Sequence, residues 1–273
     1  MNPKPFLKWA GGKTQLLPEL LKHVPTDFET YYEPFLGGGA LLFELQPKRA
    51  VIADINWELV NVYEELKSNP TKVTGYIDSF PIKKEFFYKL RELDRVRGWD
   101  HNFDWAWRAA RMMYLNKTCY NGLWRVNKKG ENNTPWGYYS NPTIYELDNI
   151  HAVSSYLNTS DVDISSADFQ NTLSNPTTND FVYLDPPYDI LNDTSNFTGY
   201  SAGGFSKGNH EILKQCVDSL TKRNVKVLQS NADTPFIRDL YADYHIVEVQ
   251  AKRSINSKGN RRGSITELLI KNY

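Results

Sequence analysis

The residues Asp185-Pro186-Pro187-Tyr188 follow the apolar run Phe181-Val182-Tyr183-Leu184, so an acid, two rigid prolines and an aromatic stand at the end of an expected buried strand. In open α/β sheets the C-terminal edge of the strands is where ligands bind. A carboxylate at that edge accepts a hydrogen bond from an amino group. The two prolines fix φ and lack an N–H, so carbonyls alone face the same donor. Such a site suits a neutral planar amine held against an aromatic ring. An ordinary Pro-Pro turn with a buried Asp cap satisfies the same four residues, and the rest of the chain has to separate the two readings.

A second group of residues has the makings of a cofactor pocket. Residues 6–13 form a short loop with Gly11-Gly12, and a helix is expected over 14–23. Residues 30–35 read as a strand, Gly37-Gly38-Gly39 as a turn, 40–45 as a helix, 50–54 as a second strand ending on Asp54, and 57–67 as a second helix. In doubly wound folds such a turn lets backbone amides approach a ligand at a helix N-terminus, while the acid after the second strand bonds ribose hydroxyls. An adenosine-containing cofactor fits that spacing. The turn alone matches only part of the dinucleotide fingerprint, because Leu42 occupies the third glycine position, and it suits a nicotinamide cofactor, a flavin or S-adenosylmethionine almost equally. Gly12-Lys13-Thr14 is not a P-loop: Leu7 stands where its first glycine belongs, and no hydrophobic strand precedes it.

The elements that must position these groups read as an α/β chain. Strand-like runs continue at 162–164, 181–184, 225–228, 245–249 and 265–270, with helices over 210–222 and 234–241. The sheet is therefore expected to be mostly parallel, with its last two strands closing as a hairpin around 252–262. Between about 70 and 156 the pattern changes to a polar, basic, aromatic and asparagine-rich stretch with helices near 84–97 and 103–115, which reads as an insertion. No internal repeat or low-complexity tract is seen.

At 273 residues the chain is long enough for one large α/β domain with an inserted module. No run of eighteen apolar residues occurs and the N-terminus lacks a signal-peptide stretch, so a cytoplasmic protein without a membrane span is expected. Cys119 and Cys216 have no ligand-spaced partners, which argues against a disulfide framework or a zinc site. The formal charge is zero but segregated: residues 83–129 carry twelve Lys/Arg against five Asp/Glu, and residues 130–206 carry ten acids and no Lys/Arg. A second basic stretch holds Lys252, Arg253, Lys258, Arg261 and Arg262. Trp99, Trp105, Trp107, Tyr114, Tyr120 and Trp124 punctuate the first basic block. A basic surface with stacking groups is what a polyanion with bases requires, although such blocks are also ordinary solvated faces.

The combination is far more specific than its parts. Phe6-Leu-Lys-Trp-Ala-Gly-Gly-Lys13, Glu33-Pro-Phe-Leu-Gly-Gly-Gly39, Ala53-Asp-Ile-Asn56 and Asp185-Pro-Pro-Tyr188, in this order with a basic insertion before the last, resemble the Dam-type (D12 class) DNA adenine-N6 methyltransferases. Asn121-Gly-Leu-Trp-Arg125, Asn133-Thr-Pro-Trp-Gly137, Asn196-Phe-Thr198 and Glu267-Leu-Leu-Ile270 extend the resemblance over nearly the whole chain, and it is closest to members that methylate GATC. Residues 116–120 and Trp124 depart from common family patterns.

The resemblance implies a doubly wound, mostly parallel, seven-stranded Rossmann-like methyltransferase sheet, built from residues 1–69 and 157–273. Residues 70–156 are then an inserted, mainly helical DNA-recognition domain. It implies S-adenosylmethionine, with S-adenosylhomocysteine as product, bordered by Trp9, Ala10, Gly11 and Lys13, shaped by Phe35, Gly37 and Gly39, and held at the ribose by Asp54 and at the adenine by Asp168. For Asp168 a helix N-cap role is equally natural and compatible. Asp185 and the Pro186 carbonyl would accept from the target amine, with Pro187 completing the rigid segment and Tyr188 stacking on a base flipped out of the duplex. Arg125 is implied as a guanine reader, Leu123, Pro135 and Tyr139 as neighbours of the target bases, Tyr120 and Asn121 at the gap left by the flipped base, and Lys8 at the outer guanine. Double-stranded DNA as partner, no metal, no membrane, a monomer and a bacterial or phage cytoplasm complete the expectation. Methylation of cytosine N4 uses the same geometry. A protein-glutamine or RNA methyltransferase, and a catalytically silent DNA-binding relative, are the more distant alternatives.

Overall fold

A computed structural model describes residues 1–189, 205–252 and 264–273. Its seven strands are β1 (Tyr31–Glu33), β2 (Arg49–Asp54), β3 (Asp161–Ser166), β4 (Phe181–Leu184), β5 (Lys226–Ala232), β6 (His245–Lys252) and β7 (Ser264–Lys271). They form one open sheet in the order β3-β2-β1-β4-β5-β7-β6, with β7 antiparallel to both β5 and β6 and the β1–β5 pairings parallel. The expected Rossmann-like sheet and closing hairpin are both present. The Asn196-Phe197-Thr198 motif and the basic residues Arg253, Lys258, Arg261 and Arg262 lie outside the described residues.

Ten α-helices accompany the sheet among the described residues: α1 (Leu17–Leu20), α2 (Ala40–Leu45), α3 (Trp57–Ser68), α4 (Pro70–Ser79), α5 (Lys84–Glu92), α6 (Trp105–Thr118), α7 (Leu147–Thr159), α8 (Phe169–Leu173), α9 (Lys207–Lys222) and α10 (Pro235–Leu240). β4 explains why its sequence reads as a continuous apolar run. Phe181 and Tyr183 join the core on one face, Val182 and Leu184 the core on the other, and all four are buried. Leu59, Val62 and Leu66 of α3 and Val153 and Leu157 of α7 pack on the first face. Leu213, Val217 and Leu220 of α9 and Ile237 of α10 pack on the second. The first core continues without a break through Val73 and Ile77 of α4, Phe87 and Leu90 of α5, and Ala109 and Met113 of α6.

Several elements differ from the sequence expectation. The helix expected over 14–23 is three short pieces, 3-10 turns at Lys13–Gln15 and Leu21–His23 around α1, with Pro18 at the start of α1 where its missing N–H is harmless. The helix expected over 103–115 runs from Trp105 to Thr118, because the Asp104 carboxylate accepts the Trp107 N–H at 2.8 Å and caps it. Helices α4 and α7 were not anticipated. In α7 the apolar stripe Ile150, Val153 and Leu157 is short and set among polar residues, and burial against α3 completes what propensity alone leaves marginal.

The charge reading of 83–129 also needs correction. Arg108 and Arg111 are buried: Arg108 pairs with Glu58 at 3.0 Å and lies 3.9 Å from the Trp57 ring, while Arg111 donates to the Leu90 carbonyl at 2.8 Å. Tyr114 and Trp124 are buried, Trp107 stacks on Phe103 at 3.8 Å, and Trp99 lies against Arg111 at 4.4 Å. Only Trp105 and Tyr120 of the six aromatics are exposed. Cation–π contact desolvates these guanidiniums and turns them from surface charge into structural staples. Lys83, Lys84, Lys89, Arg97, Arg125, Lys128 and Lys129 remain exposed for a polyanion, whereas Arg95 is tied to Asp94 and the Asn132 carbonyl.

Candidate active site

Four strand ends stand side by side at one edge of the sheet. In the order of the sheet they carry Asp168 beyond β3, Asp54 on β2, Glu33 on β1 and Asp185 beyond β4. The chain turns in opposite directions from β1 and β4, so a crevice opens between Glu33 and Asp185 for purely topological reasons.

Asp54 fixes the glycine turn. Its carboxylate accepts the Gly37 N–H at 3.0 Å and the Asn56 N–H at 2.9 Å, and the Tyr63 hydroxyl donates to the Gly37 carbonyl at 3.0 Å. Burial raises the Asp54 pKa from its ordinary value, and those backbone donors oppose the rise. Gly37 and Gly39 both have positive φ, +48° and +63°, which only glycine adopts cheaply. A Cβ on Gly37 would stand 2.7 Å from Cδ1 of Trp9, so the indole lies directly on the turn. Phe35 stacks on Phe169 at 5.4 Å, and Asp168 caps α8 by accepting the Gln170 N–H at 2.9 Å. The N-cap role of Asp168 is thus real. An indole against a glycine turn, beside an acid whose oxygens retain further lone pairs, is a set of groups that could hold an adenosine by its ring and its two ribose hydroxyls.

Gly37→Ala should lower stability by about 1–3 kcal/mol through backbone strain and the Trp9 clash. Gly75→Ala in α4, where a Cβ meets nothing within 4 Å, should stabilise by about 0.4–1 kcal/mol. Urea unfolding of both variants reads the contrast. Equal unfolding midpoints would contradict it.

The segment Asp185-Pro186-Pro187-Tyr188 is organised around Lys13. Its ammonium is buried, 2.7 Å from Asp185 Oδ1, 2.6 Å from the Gly11 carbonyl and 4.7 Å from the centre of the Tyr188 ring. Burial pushes the Asp185 pKa up to about 6, while Lys13 pulls it down. The Tyr188 hydroxyl donates to Glu267 Oε2 on β7 at 2.7 Å, which fixes the ring plane. The pocket therefore stabilises a tetrahedral nitrogen bearing positive charge, between a carboxylate, a carbonyl and an aromatic face. An amine being alkylated requires those same surroundings.

Glu33 and Glu267 are the residues that sequence reasoning quoted inside motifs without a role. Glu33 is buried, its pKa is raised by burial, and the Tyr31 hydroxyl donates to it at 3.0 Å. An acid within an otherwise apolar strand, last in β1 for Glu33 and before Leu268-Leu269-Ile270 in β7 for Glu267, was the available signal. His210 has no catalytic part: it is buried among Phe205 and Phe236, and burial lowers its pKa to about 4, so it is neutral. Cys119 is buried and its thiol pushed up to about 11 by burial, which leaves it unreactive.

The residues expected to read bases also converge. The segment after α6 pairs with a later one: the Tyr120 N–H donates to the Pro135 carbonyl at 2.8 Å, Gly137 N–H to Thr118 at 2.8 Å, and Asn133 N–H to Arg125 at 3.1 Å. Cys119 bridges Trp136 and Val126 bridges Asn132. This ladder sets Tyr120 beside Pro135 and Arg125 beside Asn133, with Arg125, Tyr120, Asn121 and Pro135 exposed. Asn133 Oδ1 accepts from Arg125 Nε at 2.7 Å. Lys8 joins them, with its ammonium 5.3 Å from the centre of the Tyr139 ring. Among the described residues no group of three His, Cys, Asp or Glu could hold a metal ion, and no helix is long and apolar enough to cross a membrane.

Comparison with known proteins decides the family. Residues 9–255 match the family described as D12 class N6 adenine-specific DNA methyltransferase. The chain belongs to this family. It is 41% identical to a type II methyltransferase of Lactococcus lactis subsp. cremoris, over all of this chain and 96% of the relative. It is 40% identical to a type II methyltransferase of Methanocaldococcus jannaschii over the whole of both chains, and 34% identical to the DNA adenine methylase of Escherichia coli K12 over 97% of this chain and 93% of that one. As a member of the family, the chain is an adenine-N6-specific DNA methyltransferase.

Proposed function

We propose that the methyl donor is S-adenosylmethionine, that the target adenine is rotated out of duplex DNA, and that the methylated sequence is GATC. The observation that carries this reading is the cation site formed by Asp185, the Gly11 carbonyl and the Tyr188 ring, now filled by Lys13. When bound, S-adenosylmethionine supplies an electrophilic methyl group on a sulfonium. Trp9, Ala10, Gly11 and Lys13 border it, Phe35, Gly37 and Gly39 shape its pocket, Asp54 takes the ribose hydroxyls and Asp168 the adenine.

The chain's own work is on the amine. Adenine N6 is a poor nucleophile because its lone pair is delocalised into the ring. Asp185 and the Pro186 carbonyl each accept a hydrogen bond from an N6 N–H, which favours a tetrahedral nitrogen with its lone pair directed at the methyl group, and the single proton released by methylation passes to solvent. Attack is an in-line displacement, and orientation together with stabilisation of the charge developing on nitrogen lowers the barrier. Such a pocket is closed to a base inside a helix, so the base is extruded onto Tyr188 while Tyr120 and Asn121 occupy the gap. Arg125 reads a guanine, Leu123, Pro135 and Tyr139 neighbour the target bases, and Lys8 contacts the outer guanine. We assign residues 70–156 to recognition, residues 1–69 and 157–273 to catalysis, and the cytoplasm as the place of action.

The test is to incubate the chain with labelled S-adenosylmethionine and mixed-sequence DNA and to map the modified base. N6-methyladenine within GATC is the expected product; a different context removes GATC, and absence of label transfer removes the donor. Tyr188→Phe, which keeps the ring and loses the bond to Glu267, should lower kcat several-fold, in line with about 1 kcal/mol for one hydrogen bond. Tyr188→Ala should lose a further stacking contribution of about 1–3 kcal/mol. Equal rates in the two variants would exclude stacking on this ring.

A further inference from the structure

Asn116 lies in the last turn of α6, wholly buried, and its carboxamide grips one residue of the first loop from both sides. Oδ1 accepts the Lys8 N–H at 2.9 Å and Nδ2 donates to the Lys8 carbonyl at 2.7 Å. A neighbouring β-strand would offer the same pair of bonds. Nδ2 also lies 3.4 Å from the Gly122 carbonyl. Asn is a poor helix former and a buried amide is costly unless bonded, so these contacts account for its presence at a fully buried helical position.

Both partners of Asn116 lead to functional residues. From Lys8 the short loop through Trp9, Ala10 and Gly11 ends on Lys13, whose ammonium is bonded to Asp185. Gly122 sits in the turn between Tyr120 and Leu123, where Asn121 and Gly122 both have positive φ, +58° and +66°. The Lys8 stem lies across that turn so closely that a Cβ on Gly122 would be 2.4 Å from Lys8 Cδ. A shift of the Lys8 backbone therefore reaches Gly122 by two routes, the rigid planar amide of Asn116 and direct contact.

We propose that Asn116 is a positioning residue that couples the cofactor loop to the base-reading turn, so that a bound cofactor strengthens sequence-specific DNA binding and DNA strengthens cofactor binding. Reciprocity is required of any such coupling. The inference rests on the assignment of these two regions made under the proposed function.

The test uses the full chain and a short fluorescent duplex containing one GATC, or the sequence that product mapping returns. Duplex affinity is measured with and without S-adenosylhomocysteine. In the unaltered chain the product should tighten duplex binding about fivefold or more. In Asn116→Ala, and independently in Gly122→Ala, that ratio should fall toward one while S-adenosylhomocysteine alone still binds. A folded Asn116→Ala with an unchanged ratio would overturn the proposal, as would an unaltered chain whose duplex affinity ignores the product. A merely structural Asn116 predicts that both affinities fall together at constant ratio. Should Asn116→Ala lack a cooperative unfolding transition, Asn116→Ser and Gly122→Ala decide by the same ratio. An unaltered chain that binds neither product nor duplex contradicts the functional assignment instead, and does so before any variant is made.

Discussion

Asp185→Ala should lower kcat at least about thousandfold and leave duplex affinity within a small factor of the unaltered chain. Removing one preorganised group that stabilises transition-state charge costs about 10²–10³ in rate. In the proposed mechanism the acid also orients the amine, so the upper end of that range is the expected minimum. Since its proposed role is on the amine and not on phosphate, kcat and kcat/KM should fall together, the mark of an interaction made in the transition state. Full activity in this variant would sink the mechanism. The acid also sets a pH dependence. In the proposed mechanism the ionised carboxylate is the form that accepts the amine's hydrogen bond, and burial pushes its pKa up to about 6. Activity should therefore rise with pH through about 6 and be lost below it. Lys13 pulls the Asp185 carboxyl down, so Lys13→Met should move this acid limb to higher pH. A pH–rate profile of single-turnover methylation measures both, and a limb unmoved by Lys13→Met would separate the lysine from the acid.

Arg125→Ala should relax discrimination at one guanine of the site by about 1–3 kcal/mol, roughly 5- to 150-fold in kcat/KM, with little change at other positions. The geometry favours reading over mere charge. Asn133 Oδ1 holds Nε at 2.7 Å, which restrains the plane of an otherwise exposed guanidinium and leaves its two terminal nitrogens as an outward fork for the guanine that the proposed function assigns to it. A guanine presents O6 and N7 to that fork. Arg125→Lys should fail nearly as badly, since an ammonium keeps the charge and loses the bidentate geometry. Rates on duplexes with single-base changes make the comparison. Unchanged discrimination in Arg125→Ala would remove this residue from recognition, and a uniform loss over all sequences would make it a phosphate contact.

Much of this was legible before any coordinates. The strands over 50–54 and 181–184 were readable because both faces of a parallel strand are buried, and a run such as Phe181-Val182-Tyr183-Leu184 records that directly. The acids ending those strands were readable because sheet topology places strand ends at the crevice. The charges were not. Arg108 and Arg111 look like any other basic residues in sequence, and only packing against Trp57, Trp99 and Trp105 shows them to be internal. Glu267 is distant from Tyr188 along the chain, and the two meet because β7 inserts between β5 and β6.

By itself, then, the sequence determined the parallel sheet, the glycine turn, the Asp-Pro-Pro-Tyr segment at the end of β4 and their order, because each is encoded locally by burial period, φ demand or proline. Tertiary structure decided what those groups touch: that Lys13 bridges Gly11 and Asp185, that Asp54 pins Gly37, that Arg125 rests on Asn133 and that Asn116 ties Lys8 to Gly122. Hydrogen bonds and ion pairs form between side chains brought together by the whole core, and their partners follow from the fold and not from spacing along the chain.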